Sequence, residues 1–284
     1  MGSLPHRTPA LRPSAGADSG ERTHHPDPPR DRPADDRRLP PPGVAAMTFP
    51  SPEEKRAYVR LVFTRLAPHY ERVNQVLSLG QIRAWRKRAA DQARVPPGGR
   101  ALDVATGEGE LARALVRRWP GITVVGLDLT EAMIQRGRVR CTGWPIQWVE
   151  GDALRLPFPD RSFDAVLSAF MLRNVADVEQ AIREQARVVR PGGRVICLEM
   201  VWPRHPLPRL YLSLGMPLLG RLLTGDPEPY RYLPRSAEAF LSPEELAATM
   251  ERAGLCSVRF RRLMMGSVAL HVALRPDDPV QFSA

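Results

Sequence analysis

The sequence DVATGEGELA at residues 103–112 follows a short apolar run and precedes a segment with helical spacing. Glycines stand at positions 107 and 109, where the backbone can pass close to a ligand and the free amides of a helix start can face it. The stretch predicts a strand–loop–helix unit of the kind that binds nucleotides. By themselves, the glycines could also mark a tight turn between a strand and a helix that binds no ligand.

Outside this loop, short apolar runs alternate with amphipathic segments. Predicted helices separate five predicted strands at 101–105, 122–127, 146–149, 163–167 and 194–200. This alternation indicates a parallel sheet that is covered on both faces. Two later predicted strands, at 258–263 and 268–274, are joined by a turn at Gly266. We therefore predict an α/β fold, a Rossmann-like seven-stranded mostly parallel sheet with helices on both faces and a C-terminal antiparallel hairpin.

The composition divides the 284 residues into three parts. Residues 1–46 contain ten prolines and almost no large apolar side chains, so we expect a disordered tail rich in Pro and Arg. Residues 47–275 form one predicted domain, with a helical substrate-side cap at 52–92 and an insert or lid at 201–240. Residues 276–284 form a predicted C-terminal tail.

The formal net charge is +10, and only two of the 41 basic residues are lysines. Positive charge favours anionic partners, but the chain has no zinc-finger spacing and no basic stripe interleaved with aromatics, so no specific nucleic-acid partner is predicted. Cys141, Cys197 and Cys256 have no metal-ligand spacing, and no metal site is predicted. The widely spaced cysteines, with no signal pattern and no long apolar stretch, predict a cytoplasmic protein.

Acidic residues near the glycine loop narrow the choice of nucleotide. Asp128 ends the second predicted strand, 21 residues after Gly107, where a carboxylate can accept hydrogen bonds from a ribose diol. Asp103, Glu108 and Glu110 would repel the pyrophosphate of a dinucleotide but would suit a sulfonium and an ammonium group. A nucleoside-containing cofactor with positive charge is therefore favoured over a dinucleotide.

A third motif, the pair Asp152-Ala153 after the third predicted strand, is well placed to bind an adenine edge. Together with the glycine loop and Asp128, it resembles the motifs of the class I S-adenosylmethionine-dependent methyltransferases. The resemblance implies S-adenosyl-L-methionine as the cofactor. The candidate cofactor-binding residues are Asp103, Ala105, Thr106, Gly107, Glu108, Gly109, Asp128, Leu129, Asp152, Ala153 and Ala169.

Five segments outside the cofactor loops carry a narrower resemblance. They are the pattern F-x3-A-x2-Y-x3-N-x3-S-x-G with Trp at 63–85, LRNV at 172–175, PGGR at 191–194, YRYL at 230–233 and VALH at 268–271. The set is similar to the ubiquinone/menaquinone biosynthesis C-methyltransferases over roughly residues 52–275. The glycine loop departs from that family, which usually has Gly-Gly-Thr-Gly-Asp where TGEGE stands here.

That resemblance implies methylation of a ring carbon on a polyprenylated quinol, such as demethylmenaquinol or its ubiquinol-pathway equivalent. Loss of a hydroxyl proton makes the adjacent ring carbon a better nucleophile, so the protein has mainly to orient the reactants, exclude water and route a proton. The candidate catalytic residues are Arg173, Asn174 and Tyr70. Arg173 stays protonated, which suits it to hold a phenolate or orient a water. The candidate substrate contacts are Asn74, Tyr230, Tyr232 and His271.

Structural roles are open alternatives for four of these residues. Tyr70 lies in a predicted helix and could be packed there, and His271 lies in an apolar strand where a core histidine is common. Tyr230 and Tyr232 could pin the insert to the core.

The insert is the most apolar part of the chain. Residues 205–224 hold ten large apolar residues, with Arg204, Arg209 and Arg221 around them. Such a segment could bind a prenyl tail, lie on an anionic membrane face or cover the ligand as a lid. The alternatives are a helix pair packed on the sheet or a contact in a homodimer. The expected partners are thus a lipid-soluble quinol, a membrane surface that the protein contacts peripherally, and a second copy of the chain in a homodimer.

Two other functions are compatible with these motifs. The first is a methyltransferase that acts on a different small phenol, an amine or another lipid. The second is a non-catalytic protein that binds the cofactor, although the glycine loop and Asp128 are both intact. A dehydrogenase is disfavoured by the acids beside the loop.

Overall fold

The computed structural model describes residues 49–225 and 228–277. The predicted tail at 1–46 and most of the predicted tail at 276–284 lie outside these residues.

A seven-stranded sheet forms the centre of the described chain. Its strands are β1 (Arg100–Val104), β2 (Thr123–Asp128), β3 (Ile146–Glu150), β4 (Phe163–Ala169), β5 (Val189–Met200), β6 (Cys256–Leu263) and β7 (Val268–Leu274). Their order across the sheet is β3-β2-β1-β4-β5-β7-β6. Strands β1 to β5 pair in parallel, whereas β7 runs antiparallel to both β5 and β6. The predicted fold class and its hairpin are confirmed.

Helices cover both faces of this sheet. They are α1 (Pro52–Leu66), α2 (Tyr70–Leu77), α3 (Ile82–Gln92), α4 (Glu110–Arg118), α5 (Glu131–Arg140), α6 (Val178–Val188), α7 (Pro206–Leu210), α8 (Met216–Thr224), α9 (Glu228–Glu238) and α10 (Pro243–Arg252). Helices α6 and α10 pack on one face, and α3 and α4 pack on the other. Because both faces are covered, the central strands are mostly apolar on both sides rather than alternating.

Local signals set several helix ends. The side chain of Asp177 accepts a hydrogen bond from the backbone N–H of Gln180 at the start of α6. Ser242 and Glu245 form a reciprocal capping box at the start of α10. Both helix starts agree with the sequence. Helix α6 ends at Val188, and the segment 191–193 that follows belongs to β5 and forms a bulge in its pairing with β4.

The predicted cap at 52–92 has two parts in the structure. Helices α1 and α2 lie over the carboxyl edge of the sheet and contribute walls to the cavities there. Helix α3 instead packs against α4, with Trp85 and Ala89 in the same apolar cluster as Leu111 and Leu115. A buried ion pair between Glu71 of α2 and Arg86 of α3 connects the two parts.

That pair is the basis of a stability prediction. Nη1 of Arg86 lies 3.1 and 2.9 Å from the two carboxylate oxygens of Glu71, and both side chains are buried. We expect Arg86→Met to lower the free energy of unfolding by about 3–5 kcal/mol, because it leaves a buried carboxylate without its partner. The variant Arg86→Met with Glu71→Gln removes the stranded charge and should recover part of that loss. Urea unfolding of the three proteins checks this, and equal stabilities of the single and double variants would contradict it.

Candidate functional site

A cavity of about 330 Å³ lies at the carboxyl ends of β1, β2 and β4. The strand order reverses between β1 and β4, and parallel α/β sheets bind ligands at such a reversal. We call this cavity the strand-end cavity. Nine predicted site residues line it, namely Ala105, Gly107, Asp128, Leu129, Asp152, Ala153, Ala169, Tyr70 and Asn174.

Asp128 holds two loops at the wall of this cavity. Its Oδ2 accepts a hydrogen bond from the backbone N–H of Gly107 at 2.8 Å, and its Oδ1 accepts one from the backbone N–H of Thr130 at 2.9 Å. Burial raises the pKa of Asp128, and the backbone hydrogen bonds oppose that rise. Each carboxylate oxygen can accept a further hydrogen bond, so the side chain can also bind hydroxyl groups of a ligand.

Asp103 does not line the cavity in this structure, and its predicted contact with the cofactor stays a prediction. Its Oδ2 accepts a hydrogen bond from the hydroxyl of Thr106 at 2.7 Å, and its carboxyl group also accepts one from the backbone N–H of Ala112 in the first turn of α4. Thr106 is likewise turned inward and packs against Gly126. A carboxyl group therefore occupies the start of α4, where a dinucleotide would place its pyrophosphate.

Glu108 also lies outside the cavity lining. Its side chain is 2% exposed, and its two oxygens accept hydrogen bonds at 2.6 Å from Arg136 and Arg140 of α5. Gly109 is held against the ring of Trp148, which would lie 2.7 Å from an added Cβ. The expectation that Glu108 faces a cationic cofactor is corrected, because two arginines already neutralise it. The case against a pyrophosphate rests instead on Asp103 at the helix start.

The loop after β3 forms the opposite wall. Oδ1 of Asp152 accepts a hydrogen bond from the backbone N–H of Leu154 at 2.9 Å, and its Oδ2 lies 3.4 Å from Arg56 of α1. Met133 of α5 adds an apolar surface beside them. The sequence motifs do not identify Arg56 or Met133, because both lie on amphipathic helices that carry no motif of their own.

A narrower cavity of about 50 Å³, the inner cavity, adjoins the first and shares Phe63, Tyr70 and Phe170 with it. Asn74 and Arg173 also line it, so three predicted catalytic or substrate residues meet at this place. The side chain of Asn74 hydrogen-bonds the hydroxyl of Tyr70. Burial raises the pKa of Tyr70 above its ordinary range, so the hydroxyl keeps its proton.

Arg173 is fixed by two partners. Its Nη1 donates to Oε1 of Glu199 in β5, and its Nε donates to the hydroxyl of Ser236 in α9 at 3.3 Å. All three side chains are buried. The ion pair compensates the charge of Arg173 and holds its guanidinium at the wall of the inner cavity.

Two predicted substrate contacts, Tyr230 and Tyr232, lie in α9 and line neither cavity. The hydroxyl of Tyr232 donates to Oδ1 of Asn174 at 2.8 Å, and Nδ2 of Asn174 donates to the backbone oxygen of Phe170 at 2.9 Å. The ring of Tyr230 packs on Gly220 of α8. Tyr232 therefore agrees with the structural alternative, since it joins the insert to the core, whereas the contact of Tyr230 with Gly220 lies within the insert.

His271 is a core residue of the sheet and does not reach either cavity. Its Nε2 lies 2.9 Å from the backbone oxygen of Pro243, and its ring stacks on Phe260 at 5.1 Å between centroids. Burial lowers the pKa of His271 to about 4. These surroundings correct its prediction as a substrate contact and agree with the alternative of a core histidine, although the buried Nδ1 has no hydrogen-bond partner among the described residues.

Two cavity residues have a backbone conformation that the sequence does not signal. Ala105 after β1 has a φ of 57°, and Phe170 after β4 has a φ of 60°. Residues other than glycine rarely adopt this left-handed region, and such strain concentrates at functional sites. The two strained residues flank the reversal of strand order from which the cavity opens.

Two features are absent from residues 49–225 and 228–277. No helix there is both long enough and apolar enough to cross a membrane. Those residues also contain no group of three or more His, Cys, Asp or Glu side chains that could hold a metal ion.

The buried carboxyl group of Asp103 predicts a pH dependence of stability. Burial raises its pKa to about 7 in the folded chain, so from about pH 4 to pH 7 the folded state keeps a proton that the unfolded state releases. This group's contribution to stability is present at low pH and is lost as the pH rises through that range, by about 4 kcal/mol at most. Asp103→Asn should remove this decline. Urea unfolding across the range tests it, and parallel pH profiles for the two proteins would contradict it.

The chain is similar to known proteins over nearly all of its described length. The model of the ubiE/COQ5 methyltransferase family matches residues 51–275. A demethylmenaquinone methyltransferase of Roseiflexus sp. (strain RS-1) is 42% identical over 236 residues, which cover 82% of this chain and 99% of the relative. Another protein of that name, from Thermus thermophilus, is 45% identical over 221 residues, which cover 76% of this chain and all of the relative.

The fold is also found among solved structures. A complex of the Haloferax volcanii Trm112 methyltransferase activator with a methyltransferase aligns with a TM-score of 0.57 and 21% identity, over 75% of this chain and 97% of that one. At this identity the likeness shows a shared fold alone. The family model and the two relatives go further, and they show that the chain belongs to the ubiE/COQ5 methyltransferase family.

Proposed function

We propose that the chain transfers a methyl group from S-adenosyl-L-methionine to a ring carbon of a polyprenylated quinol, with demethylmenaquinol as the first candidate. The observation that carries the proposal is the pair of adjoining cavities, which meet at Phe63, Tyr70 and Phe170. Methyl transfer requires the cofactor and the methyl acceptor to be in contact. Two adjoining cavities, one for each ligand, would allow this contact. The names of the two relatives support the choice of quinol.

The strand-end cavity has the groups that S-adenosyl-L-methionine requires. Asp128 can accept hydrogen bonds from the ribose hydroxyls, while Leu129, Met133 and Asp152 surround the position for adenine. The start of α4 is filled by Asp103, so a pyrophosphate has no place there. When bound, this cofactor supplies an electrophilic methyl group on a positively charged sulfur.

The inner cavity suits a flat, largely apolar ring. Leu77, Ile82 and Trp85 form part of its wall, and Tyr70, Asn74 and Arg173 contribute its polar groups. Because Tyr70 keeps its proton, it can donate a hydrogen bond to an oxygen of the quinol. Arg173 stays charged and can hold that oxygen as the ring hydroxyl loses its proton, while Glu199 and Ser236 keep its guanidinium in place. The apolar wall excludes water from the reacting carbon.

The proposal has two further parts. Asn174 lines the strand-end cavity and is positioned by Tyr232, so we assign it to orient a reactant there. A cytoplasmic site of action stays a prediction.

The proposal is tested by methyl transfer from labelled S-adenosyl-L-methionine in detergent under reducing conditions. The substrates are demethylmenaquinol, a ubiquinol-pathway quinol that lacks the ring methyl, and the oxidised quinone of each. We expect a ring-methylated product from a quinol and none from its quinone. Cofactor binding without product from either quinol would instead favour the alternative substrate, another phenol or lipid.

Asp128→Asn should weaken binding of S-adenosyl-L-methionine by a factor of about 10 to 100, because a hydrogen bond to a charged acceptor is worth about 1.5–3 kcal/mol. The side chain keeps its size but loses one of the two acceptors that hold Gly107 and Thr130, so thermal unfolding of the variant checks that the fold is intact. Titration calorimetry measures the affinity, and Asp160→Asn, which alters a carboxylate outside the cavity, is the matched control. Unchanged affinity in Asp128→Asn would remove the ribose assignment.

Tyr70→Phe should leave cofactor affinity unchanged and lower kcat by a factor of about 100 or more, the usual range for a positioned proton donor. The change removes only the hydroxyl at the junction of the two cavities. Tyr58→Phe, a buried tyrosine of α1 outside both cavities, is the control. A normal kcat in Tyr70→Phe would show that Tyr70 is a packed helix residue, the alternative left open by the sequence.

A further inference from the structure

Leucine side chains cover one exposed side of the segment from α7 to α8. A π-helical turn at Tyr211–Gly215 joins these helices, so the chain is helical from residue 206 to residue 224. The exposed side, here called the leucine face, consists of Leu207, Leu210, Leu214, Leu218 and Leu222, which are 57–73% exposed. Leu79 and Met265, also largely exposed, border it. Contiguous exposed apolar surface of this kind marks an interaction site.

The segment has a second apolar side that packs inward. Pro208, Leu212, Met216 and Gly220 recur at intervals of four residues and are buried. The leucines outside are therefore not needed to hold the segment on the domain. A helix that is apolar on both sides and only half buried needs a further apolar partner.

Two exposed arginines accompany the leucine face. Residues 201–224 contain three arginines and neither aspartate nor glutamate, and one of the three, Arg204, is paired with Glu244 of α10. Arg209 and Arg221 are exposed on the same segment as the leucines. This combination of apolar side chains with flanking basic groups is typical of segments that lie in the surface of an anionic bilayer.

The leucine face also continues into the interior. An open apolar groove runs between it and the loop at Met264–Gly266, lined by Leu79, Leu210, Leu214, Leu218 and Met265. Tyr211 and Met264 line both this groove and the inner cavity. The inner cavity in turn adjoins the strand-end cavity at Tyr70. The groove and the inner cavity thus lie on either side of Tyr211 and Met264.

We propose that the leucine face docks on an anionic lipid bilayer and that the groove beside it admits the prenyl tail of a lipid substrate from that bilayer. The first part of the proposal, here called the docking half, depends only on the leucine face and its arginines. The second part, entry of the prenyl tail through the groove, is here called the tail half. It rests on the proposed function, because it requires the quinol ring to lie in the inner cavity.

A second copy of the chain is a poorer occupant of the same surface. In a two-fold dimer this patch would face itself, which would bring the flanking arginines of two copies to one interface without acidic residues of the segment to compensate them. Such a dimer would also cover the groove beside the inner cavity. A bilayer instead supplies negative charge to the arginines and lipid to the groove.

Flotation with lipid vesicles tests the docking half. The full chain should bind phosphatidylglycerol vesicles more tightly than phosphatidylcholine vesicles, and added salt should weaken this binding. Leu214→Gln with Leu218→Gln should reduce the affinity at least about tenfold, because two side chains leave the apolar contact. Val139→Gln, which removes an equally exposed apolar side chain on α5, should bind as the unchanged protein does. Leu207→Gln with Leu222→Gln provides a second, independent pair.

Two measurements separate the possible failures. Sedimentation equilibrium should show the same oligomeric state for the unchanged protein and for Leu214→Gln with Leu218→Gln. A dimer that dissociates in the variant, or equal flotation of the two proteins, would overturn the docking half.

Turnover tests the tail half. The double variant should keep its turnover of a quinol without a tail and lose it at least about tenfold with a polyprenyl quinol in vesicles. If turnover fell equally with both substrates, or fell with neither substrate, the tail half would be overturned. Absence of turnover of every quinol by the unchanged protein would contradict the proposed function and with it the tail half, while flotation would still decide the docking half.

Discussion

Two buried carboxyl groups hold the loop between β1 and α4, and the strand-end cavity depends on them. Asp103 binds the hydroxyl of Thr106 and a backbone amide of α4, while Asp128 binds the amide of Gly107 across the gap from β2. A buried carboxyl group is stable only when hydrogen bonds replace its water. The hydrogen bonds therefore stabilise the buried acids and fix the position of the loop at the same time. The loop lies at the cavity wall because these bonds hold it there.

The same rule governs the charges around both cavities. Glu71 is paired with Arg86, Glu108 with Arg136 and Arg140, and Glu199 with Arg173. Each pair connects different elements, so these pairs also fix the positions of α2, α5 and the turn that carries Arg173. What they leave at the junction of the cavities are neutral polar groups, of which the hydroxyl of Tyr70 is the most central. This arrangement is suited to a reaction in which orientation and exclusion of water matter more than strong acids or bases.

Much of the fold and part of the site were predictable because they follow from local pattern and topology. A strand that ends at Asp128 places its carboxylate at the carboxyl edge of a parallel sheet, beside the loop at Gly107, whatever the packing elsewhere. Ala169 and Asp152 reach the same cavity for the same reason. Glu108 and His271 were placed wrongly, since nothing in the sequence near them shows the arginines of α5 or the ring of Phe260 that enclose them.

The amino-acid sequence thus determined the number and direction of the strands, the glycine loop and the acids at the strand ends, because periodicity and chain connectivity act locally. Only the tertiary structure decided which acids face a ligand and which are neutralised, since ion pairs form between helices far apart in the chain. It also decided which side of the apolar insert is buried. That insert is rich in leucine on every side, and only packing against the core separates the inner side from the leucine face.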